Sequence, residues 1–178
     1  DPCASGVVWT GLTCSAGAVV EMLINQGMTG TVPPSLGCLA SLVDLRLHIN
    51  SLTGSIPPEL RTMSALDNFH VGANSLTGPI PSELGCMTAL TGLYLRQNSL
   101  TGSIPTELGS LGGLKQLYLD GTSISGAVPE ALCAAAALTQ LQIDNNPGLG
   151  CYPSCLSSVS SLTAGTVPEG CPTYQDAA

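Results

Sequence analysis

Charged and aromatic residues are scarce in this sequence, and their scarcity excludes several classes of protein. Of the 178 residues, 9% are charged and 3% are aromatic, and four Lys and Arg stand against twelve Asp and Glu, for a net charge of -8. Because the cationic surface that neutralises nucleic-acid phosphates is missing, we expect no nucleic-acid partner. No apolar run reaches the roughly 18 residues that a membrane span needs, so we expect no span in this chain.

What is present indicates a folded extracellular protein. Apolar residues make up 44% of the chain, which is too many for a disordered sequence, and a single Phe and a single Trp predict an aliphatic core. Eight cysteines in so short a chain favour an oxidising compartment, and hence secretion. Zinc is the alternative use of cysteine, but Cys151 and Cys155 have no matching His or Cys pair at finger spacing. We expect no metal and no cofactor.

A repeat of 24 residues runs through most of the sequence. The stretch NSLTGSIP begins at Asn50 and returns almost unchanged at Asn74 and Asn98. The surrounding frame, LxxLxxLxLxxNxLTGxIPxxL, continues with more substitutions in two later copies, whereas the first copy is one residue short or has Glu21 at a leucine position. Such a period predicts a solenoid, in which each coil buries its leucines against the neighbouring coils.

The residue type at each position of the repeat has a physical reason. Leu-x-Leu has a period of two, which predicts a short strand with both leucines inward, and strands of successive coils then pair in parallel. An Asn at one phase offers an acceptor and two donors to the turns of adjacent coils, so Asn50, Asn74, Asn98 and Asn146 predict a ladder of hydrogen bonds. The Gly permits a turn conformation that other residues avoid, and the Pro fixes an extended segment.

This frame resembles the plant-specific class of leucine-rich repeats, found in receptor-kinase ectodomains and secreted polygalacturonase-inhibiting proteins. The stretch from Cys3 through Trp9 to Cys14 resembles the amino-terminal cap of that family, and Asn146 to Cys155 resembles its closing cap. The resemblance implies one α/β leucine-rich-repeat domain with a parallel concave sheet, short helical, 3-10 or polyproline-like convex segments, and disulfide-bonded caps. The implied amino-terminal cap covers residues 1–19, and about six repeats follow over residues 20–150. The implied carboxy-terminal cap and tail cover residues 151–178.

The likeness to these caps implies disulfides at both ends of the chain. Cys3 is expected to pair with Cys14, and four further cysteines are expected to pair among themselves, in an order left open: Cys133, Cys151, Cys155 and Cys171. Cys38 and Cys86 share one phase two coils apart, about 10 Å from each other, which is too far for a direct bridge. We expect them to be buried thiols, the alternative being a partner elsewhere in the chain or on another molecule.

Unusual residues gather at the outward positions of the predicted strands. Aromatic and Arg side chains are enriched on binding surfaces, and the solvation of an open sheet does not by itself select them. The pattern predicts a stacking step of Tyr94 and Tyr118 beside cationic groups, suited to an acidic peptide or a sugar acid. The candidate ligand-binding residues of the concave face are Arg46, His48, His70, Tyr94, Arg96, Lys115, Tyr118, Asp120 and Gln142.

These features predict a non-catalytic extracellular module that binds a protein, a peptide or a cell-wall polysaccharide. An enzyme would need acid and base groups converging in a pocket, whereas the Asp and His residues here fall on an open face. One alternative is a structural component of a matrix, wall or fibre that self-associates through the solenoid ends. A minor alternative is ice binding by a column of hydroxyl groups: Thr29, Thr53, Thr77, Thr101 and Ser125.

Overall fold

The predicted solenoid is confirmed. The computed structural model describes residues 11–25 and 27–171, and Cys3 of the expected amino-terminal disulfide lies outside them. Each coil contributes a strand to a larger sheet, a strand to a second sheet and a short 3-10 helix. No helix within the described ranges is long and apolar enough to cross a membrane.

The larger sheet has eight strands, one after another along the solenoid. Its first two strands form an antiparallel hairpin, and every later pairing is parallel. Numbered in chain order, its strands are β1 Leu12–Ser15, β2 Ala18–Leu23, β4 Asp44–Arg46, β6 Asn68–His70, β8 Gly92–Tyr94, β10 Gln116–Tyr118, β12 Gln140–Gln142 and β14 Ser161–Thr163.

The second sheet follows the turn after each Asn. Four of its strands pair in one group and two in another, and the backbone of Ser123 and Ser125 donates to Leu100 O and Gly102 O, at 2.8 Å each, which joins the groups. The first four strands are β3 Thr29–Thr31, β5 Ser51–Gly54, β7 Ser75–Pro79 and β9 Ser99–Thr101; the last two are β11 Ser125–Ala127 and β13 Gly148–Cys151.

Short 3-10 helices close each coil on the side away from the larger sheet. Each follows a Pro in extended conformation, which directs the chain into the turn. Neighbouring helices pack closely where a Gly follows the buried Leu, because a Cβ at Gly85 would stand only 2.5 Å from Glu107 O. These helices are η1 Pro34–Cys38, η2 Pro58–Thr62, η3 Ser82–Cys86, η4 Thr106–Ser110, η5 Glu130–Ala134 and η6 Ser154–Ser158.

One continuous aliphatic core fills the solenoid. The inward residue of each central strand is fully buried, with 0% exposure for Leu45, Phe69 and Leu93. Burying such a side chain contributes about 1.5–3 kcal/mol relative to leaving it exposed. Because each coil covers its neighbours, this stabilisation depends on the stack rather than on any single repeat.

The predicted Asn ladder forms, and each Asn ties its own coil to the preceding one. Asn74 Nδ2 donates to Leu47 O at 2.9 Å and to Val71 O at 3.0 Å, while its Oδ1 accepts from Leu52 N at 2.9 Å. Asn50, Asn98 and Asn146 donate to the two equivalent carbonyls. Thr122 takes the same place in the fifth coil and donates to Leu119 O or to Asn146 Oδ1.

The residue before each ladder position adopts the left-handed backbone conformation. The φ values are 56° at Ile49, 54° at Ala73, 53° at Gln97 and 56° at Asn145, and Gly121 has 63° at the corresponding place. This conformation costs an L-residue roughly 1–2 kcal/mol, with β-branched residues the least suited to it. The cost recurs because this turn directs the next side chain inward to the ladder.

Four cysteines of the closing cap are paired, as predicted. The bonds join Cys133 to Cys155 and Cys151 to Cys171, with Cα atoms 5.9 and 5.1 Å apart. The expectation that Cys38 is a buried thiol is wrong, as it is for the equivalent Cys86: both are free and exposed. Each ends a 3-10 helix at the position after the buried Gly, so its side chain leaves the packed surface.

The first coil forms a regular strand, and Glu21 does not take a leucine position. Met22 pairs with Leu45, so Met22 is the inward residue, and Glu21 pairs with Asp44 on the outward side. Leu23 then lies beside Arg46 and is 41% exposed. The hairpin partner β1 fixes this register, which the repeat pattern alone left ambiguous.

Candidate functional site

The outward side chains of the larger sheet form columns that cross the strands. The parallel register places Arg46, His70, Tyr94, Tyr118 and Gln142 side by side, one per coil. Neighbouring strands lie about 4.8 Å apart, so side chains in one column touch. A second column begins two residues further along each coil and contains His48, Gly72, Arg96, Asp120 and Asp144.

Four rings from these columns make a continuous row, here called the ring row: His48, His70, Tyr94 and Tyr118. The imidazoles of His48 and His70 stack with centroids 4.1 Å apart and planes 5° from parallel. His70 then meets Tyr94 at 5.0 Å in a tilted contact, and Tyr94 meets Tyr118 at 5.1 Å. Such aromatic pairs contribute about 0.5–1.5 kcal/mol each beyond the area they bury, so the row is a rigid surface.

The two tyrosines, for which a stacking step was predicted, contact each other and lie along the sheet. Their planes meet at 86°, edge to face. Tyr94 Oη donates to Gln116 Oε1 and Tyr118 Oη donates to Gln140 Oε1, while Gln116 Nε2 donates to Gln140 Oε1 at 2.7 Å. These two glutamines orient the rings and were absent from the predicted site. Their signal in the sequence was their place in a third set of outward positions, immediately before the inward Leu of each strand.

Gly92 makes room for the ring of Tyr94. A Cβ at this position would stand 2.6 Å from Tyr94 Cε2 and from Tyr94 Oη, and 2.6 Å from Asn68 Oδ1. Real Cβ atoms essentially never come so near to other heavy atoms, so any larger residue here would displace the ring. The phenol therefore lies across the backbone of its own strand.

The two arginines of the face are in different electrostatic states. Arg46 makes a bidentate ion pair with Asp44, through Nε at 2.9 Å and Nη2 at 2.7 Å, and this pair raises the pKa of Arg46. Arg96 has no ion pair among the described residues, and its guanidinium carbon lies 5.8 Å from the centroid of Tyr118. Arg96 is therefore the cation of this face that remains available to a ligand.

Both histidines are held in the neutral form at neutral pH. Burial, followed by repulsion from Arg96 and from His48 whenever His48 is protonated, lowers the pKa of His70 to about 4. Burial and the nearby Arg46 and Arg96 also lower the pKa of His48, and its Nδ1 is buried without a hydrogen-bond partner. The stacked pair is thus a neutral, polarisable surface beside a free guanidinium.

Two of the three remaining predicted residues lie at the edges of the ring row, and the third does not. Asp120 is next to Arg96 in its column, burial raises its pKa, and its Oδ1 is buried without a hydrogen-bond partner. Gln142 follows Tyr118 at the far end of the first column. Lys115 is exposed immediately before β10, outside both outward columns, so the structure does not bring its ammonium group to the ring row.

A shallow pocket of about 260 Å³ opens at the amino-terminal end of the ring row. Leu23 supplies an apolar wall, and Asn25, Arg46 and His48 supply polar groups. Leu23 is one of the few exposed large apolar residues of the described chain, with 41% exposure. The pocket adds a place for a small apolar side chain next to the histidine stack.

The second sheet presents a different surface, here called the hydroxyl face. Its outward positions are exposed, uncharged and mainly Ser or Thr: Thr29, Thr31, Ser51, Thr53, Ser55, Ser75, Thr77, Pro79, Ser99, Thr101, Ser103, Ser123, Ser125 and Ala127. The threonines 24 residues apart do not stand opposite one another, because the register pairs Thr53 with Ser75 and Thr77 with Ser99. The result is a two-dimensional array rather than the single predicted column.

Metal binding finds no support in the described part of the chain. No group of three or more His, Cys, Asp or Glu residues there is placed to hold a metal ion. The acidic residues of successive 3-10 helices, including Glu59, Glu83 and Glu107, are spaced singly along the coils. Calcium needs six or more oxygen ligands, which such a row does not supply.

Comparison with known proteins gives the same picture of the fold. A family model described as Leucine Rich Repeat matches residues 89–111. No curated protein sequence matches the chain. Among solved structures, this chain is similar to one chain in the crystal structure of the BIR3–SERK2 complex from Arabidopsis thaliana. The two are 30% identical with a TM-score of 0.72, and the match covers 87% of this chain and 81% of that chain.

Two further solved structures are informative. The Arabidopsis receptor kinase HAESA, in complex with the peptide hormone IDA and the co-receptor SERK1, is 26% identical with a TM-score of 0.70, over 83% of this chain and 29% of that chain. A plant ice-binding protein is 20% identical with a TM-score of 0.68, over 90% of this chain and 67% of that chain. The second likeness supports the fold alone.

Proposed function

The chain belongs to the plant-type leucine-rich-repeat family, and we propose that it is an extracellular, non-catalytic module that binds a protein or peptide on its larger, concave sheet. The likeness to ectodomains crystallised with protein or peptide partners supports an interaction module. Disulfides in the closing cap are typical of an extracellular compartment.

The ring row is the observation that carries the proposal. Four rings touch in sequence across four coils, and two glutamines from outside the row hold the tyrosines in place. Rigid aromatic groups provide contact area at low entropic cost, which is why Tyr and Trp dominate binding hot spots. An extended peptide lying across the strands would contact all four rings.

Arg96 indicates the chemistry of the ligand. Its stem and the His70 imidazole close over the buried Gly72, since a Cβ there would be 3.2 Å from His70 Nε2 and 3.2 Å from Arg96 Cγ. The absence of a side chain at Gly72 therefore lets the unpaired arginine lie against the histidine. A carboxylate placed at the guanidinium of Arg96 would accept hydrogen bonds from it and complement its charge. The proposed ligand is therefore a peptide with an acidic side chain, with an apolar side chain in the Leu23 pocket.

Selection from a random peptide library displayed on phage tests the proposal. We expect the wild-type protein to enrich peptides that combine Asp or Glu with an apolar residue, and Arg96→Ala or Tyr94→Ala to weaken their binding at least tenfold. Arg61→Ala is the matched control, because it removes the same charge from an exposed position on η2. Equal binding by all three variants, or no enrichment at all, would overturn the proposal.

The hydroxyl face favours ice binding as a second candidate function. Its hydroxyl and methyl groups repeat at the strand spacing of about 4.8 Å. The face itself carries no charged residue, although the chain as a whole has a net charge of -8. If the face binds ice, the protein will show thermal hysteresis, and Thr77→Tyr will abolish it by placing a large ring in the array. Thr88→Tyr, an exposed change away from this face, is the control. The absence of hysteresis and of faceted crystals would reject this candidate.

A further inference from the structure

Two free thiols project from the same edge of the solenoid. Cys38 is the last residue of η1 and Cys86 is the last residue of η3, and Thr62 ends the intervening η2 at the same phase. Both cysteines are exposed. The thiol flank is defined here as the exposed residues that end or follow these three helices: Cys38, Ala40, Ser41, Thr62, Ser64, Cys86, Thr88 and Ala89.

These thiols have no bonding partner within the described chain. Two strand spacings separate Cys38 from Cys86, about 10 Å, whereas the Cα atoms of a disulfide lie roughly 4.4–6.8 Å apart. The four cysteines of the closing cap are already bonded to one another. A chain that forms disulfides is exposed to oxidising conditions, where an exposed free thiol finds an external partner.

The thiol flank allows another protein surface to come close. Its residues are small and uncharged, and the exposed Arg61, directly before Thr62, is the long side chain beside it. Because Arg61 can turn into solvent, a second backbone can reach disulfide distance from the thiols. A second copy of the chain is the partner that carries a matching pair of thiols at the same spacing. In an isologous contact, residue i of one copy meets residue j of the other and j meets i, so one favourable approach creates two equivalent bonds.

We propose that two copies of this chain join through the thiol flank in a two-fold symmetric dimer, with Cys38 of each copy bonded to Cys86 of the other. The symmetry axis passes beside Thr62 in the central coil, and the two solenoids run in opposite directions. The opposite arrangement, with parallel solenoids, would bond each cysteine to its own copy, so that either single variant would dimerise by itself. Both concave sheets stay open on the same side, so the dimer is independent of the proposed binding function.

The bonds form by thiol–disulfide exchange with a low-molecular-weight disulfide. The thiolate of Cys38 attacks one sulfur of that disulfide and releases one small thiol, which leaves a mixed disulfide on the protein. Cys86 of the second copy then attacks the Cys38 sulfur and releases the second small thiol. Each bridge thus oxidises two protein thiols and reduces one small disulfide to two thiols, without any other oxidant.

Intact-mass analysis without reductant tests the dimer. The whole chain is incubated in a mixture of reduced and oxidised glutathione at about physiological ionic strength, which screens the exposed Arg61 from its copy. We expect the wild type to reach twice the monomer mass and to return to monomer after reduction, with a Cys38–Cys86 peptide pair in the digest. Thermal unfolding of each variant shows that it is folded, since both positions are exposed.

Single substitutions separate the proposed pairing from other dimers. Cys38→Ser and Cys86→Ser should each remain monomeric alone, because each lacks the partner for its remaining thiol. An equal mixture of the two variants should form a dimer with one bridge. A wild type that stays monomeric would overturn the proposal, and so would single variants that dimerise by themselves, since that result requires each cysteine to bond to its own copy.

Discussion

His48 and His70 stack face to face, with ring centroids 4.1 Å apart, although two arginines border the pair. Two imidazolium rings at this distance would repel each other and the guanidinium groups as well. The arrangement is stable because burial and the neighbouring charges keep both rings neutral, and these effects lower the pKa of His70 to about 4. The first element of the ring row therefore depends on pH.

We predict that acidification destabilises the protein through His70. Its pKa in the folded state is about 4, below the ordinary 6.5, so between these values the unfolded chain binds the proton more readily. Stability that is present above pH 6.5 is then lost as the pH falls towards 4. Thermal unfolding of the wild type and of His70→Gln over this range measures the effect. The midpoint of the variant should fall less, and parallel curves would show that His70 is not responsible.

Removing one rung of the Asn ladder should be strongly destabilising. Asn98 is buried, with 8% exposure. Its Oδ1 accepts a hydrogen bond from Leu76 N, and its Nδ2 donates to Val71 O and Leu95 O. Each buried group left without a partner costs about 1–3 kcal/mol, so Asn98→Ala should cost about 3 kcal/mol or more. Asn98→Thr should recover part of this, since Thr122 performs the role in its own coil. Denaturant unfolding checks both, with the exposed Ser99→Ala expected to stay within about 0.5 kcal/mol of wild type.

Relieving the strain at Ile49 should stabilise the fold. This β-branched residue has a φ of 56° and is 62% exposed, so it has the least suitable backbone preference and little packing to lose. Ile49→Asn should raise the free energy of unfolding by about 1 kcal/mol, because Asn tolerates the left-handed conformation. Val43→Asn is the control, an exposed apolar residue without a positive φ. A gain in both variants would indicate a general effect of surface polarity instead.

Filling the space at Gly92 should release Tyr94 from the sheet. Burial is the main reason that the pKa of Tyr94 is raised, and Gly92→Ala places a methyl group within 2.6 Å of its ring. The ring should turn towards solvent and its pKa should move back towards 10, which ultraviolet titration of the tyrosinate reports. Gly112→Ala is the control, since a Cβ there has nothing within 4 Å. An unchanged titration in Gly92→Ala would show that the ring does not depend on this gap.

The repeat pattern predicted the interior of the protein well. Inward positions such as that of Leu45 and ladder positions such as that of Asn74 recur at the same phase of successive coils, so a period in the sequence identifies their environment directly. Exterior features were predicted less well, because they depend on orientation and on neighbours from other coils. The exposure of Cys38 follows from the direction of its 3-10 turn, which the letters alone do not specify.

The sequence by itself determined the coil, the buried aliphatic frame, the Asn ladder and the outward columns, because each rests on a local period of two or of 24 residues. Only the tertiary structure decided the rest. The orientation of the Tyr94 ring depends on Gly92 beneath it and on Gln116, which is 22 residues away along the chain. The stagger of the hydroxyl face and the neutrality of the histidine stack likewise arise between coils. Register, burial and charge are properties of the assembled stack, and no single repeat contains them.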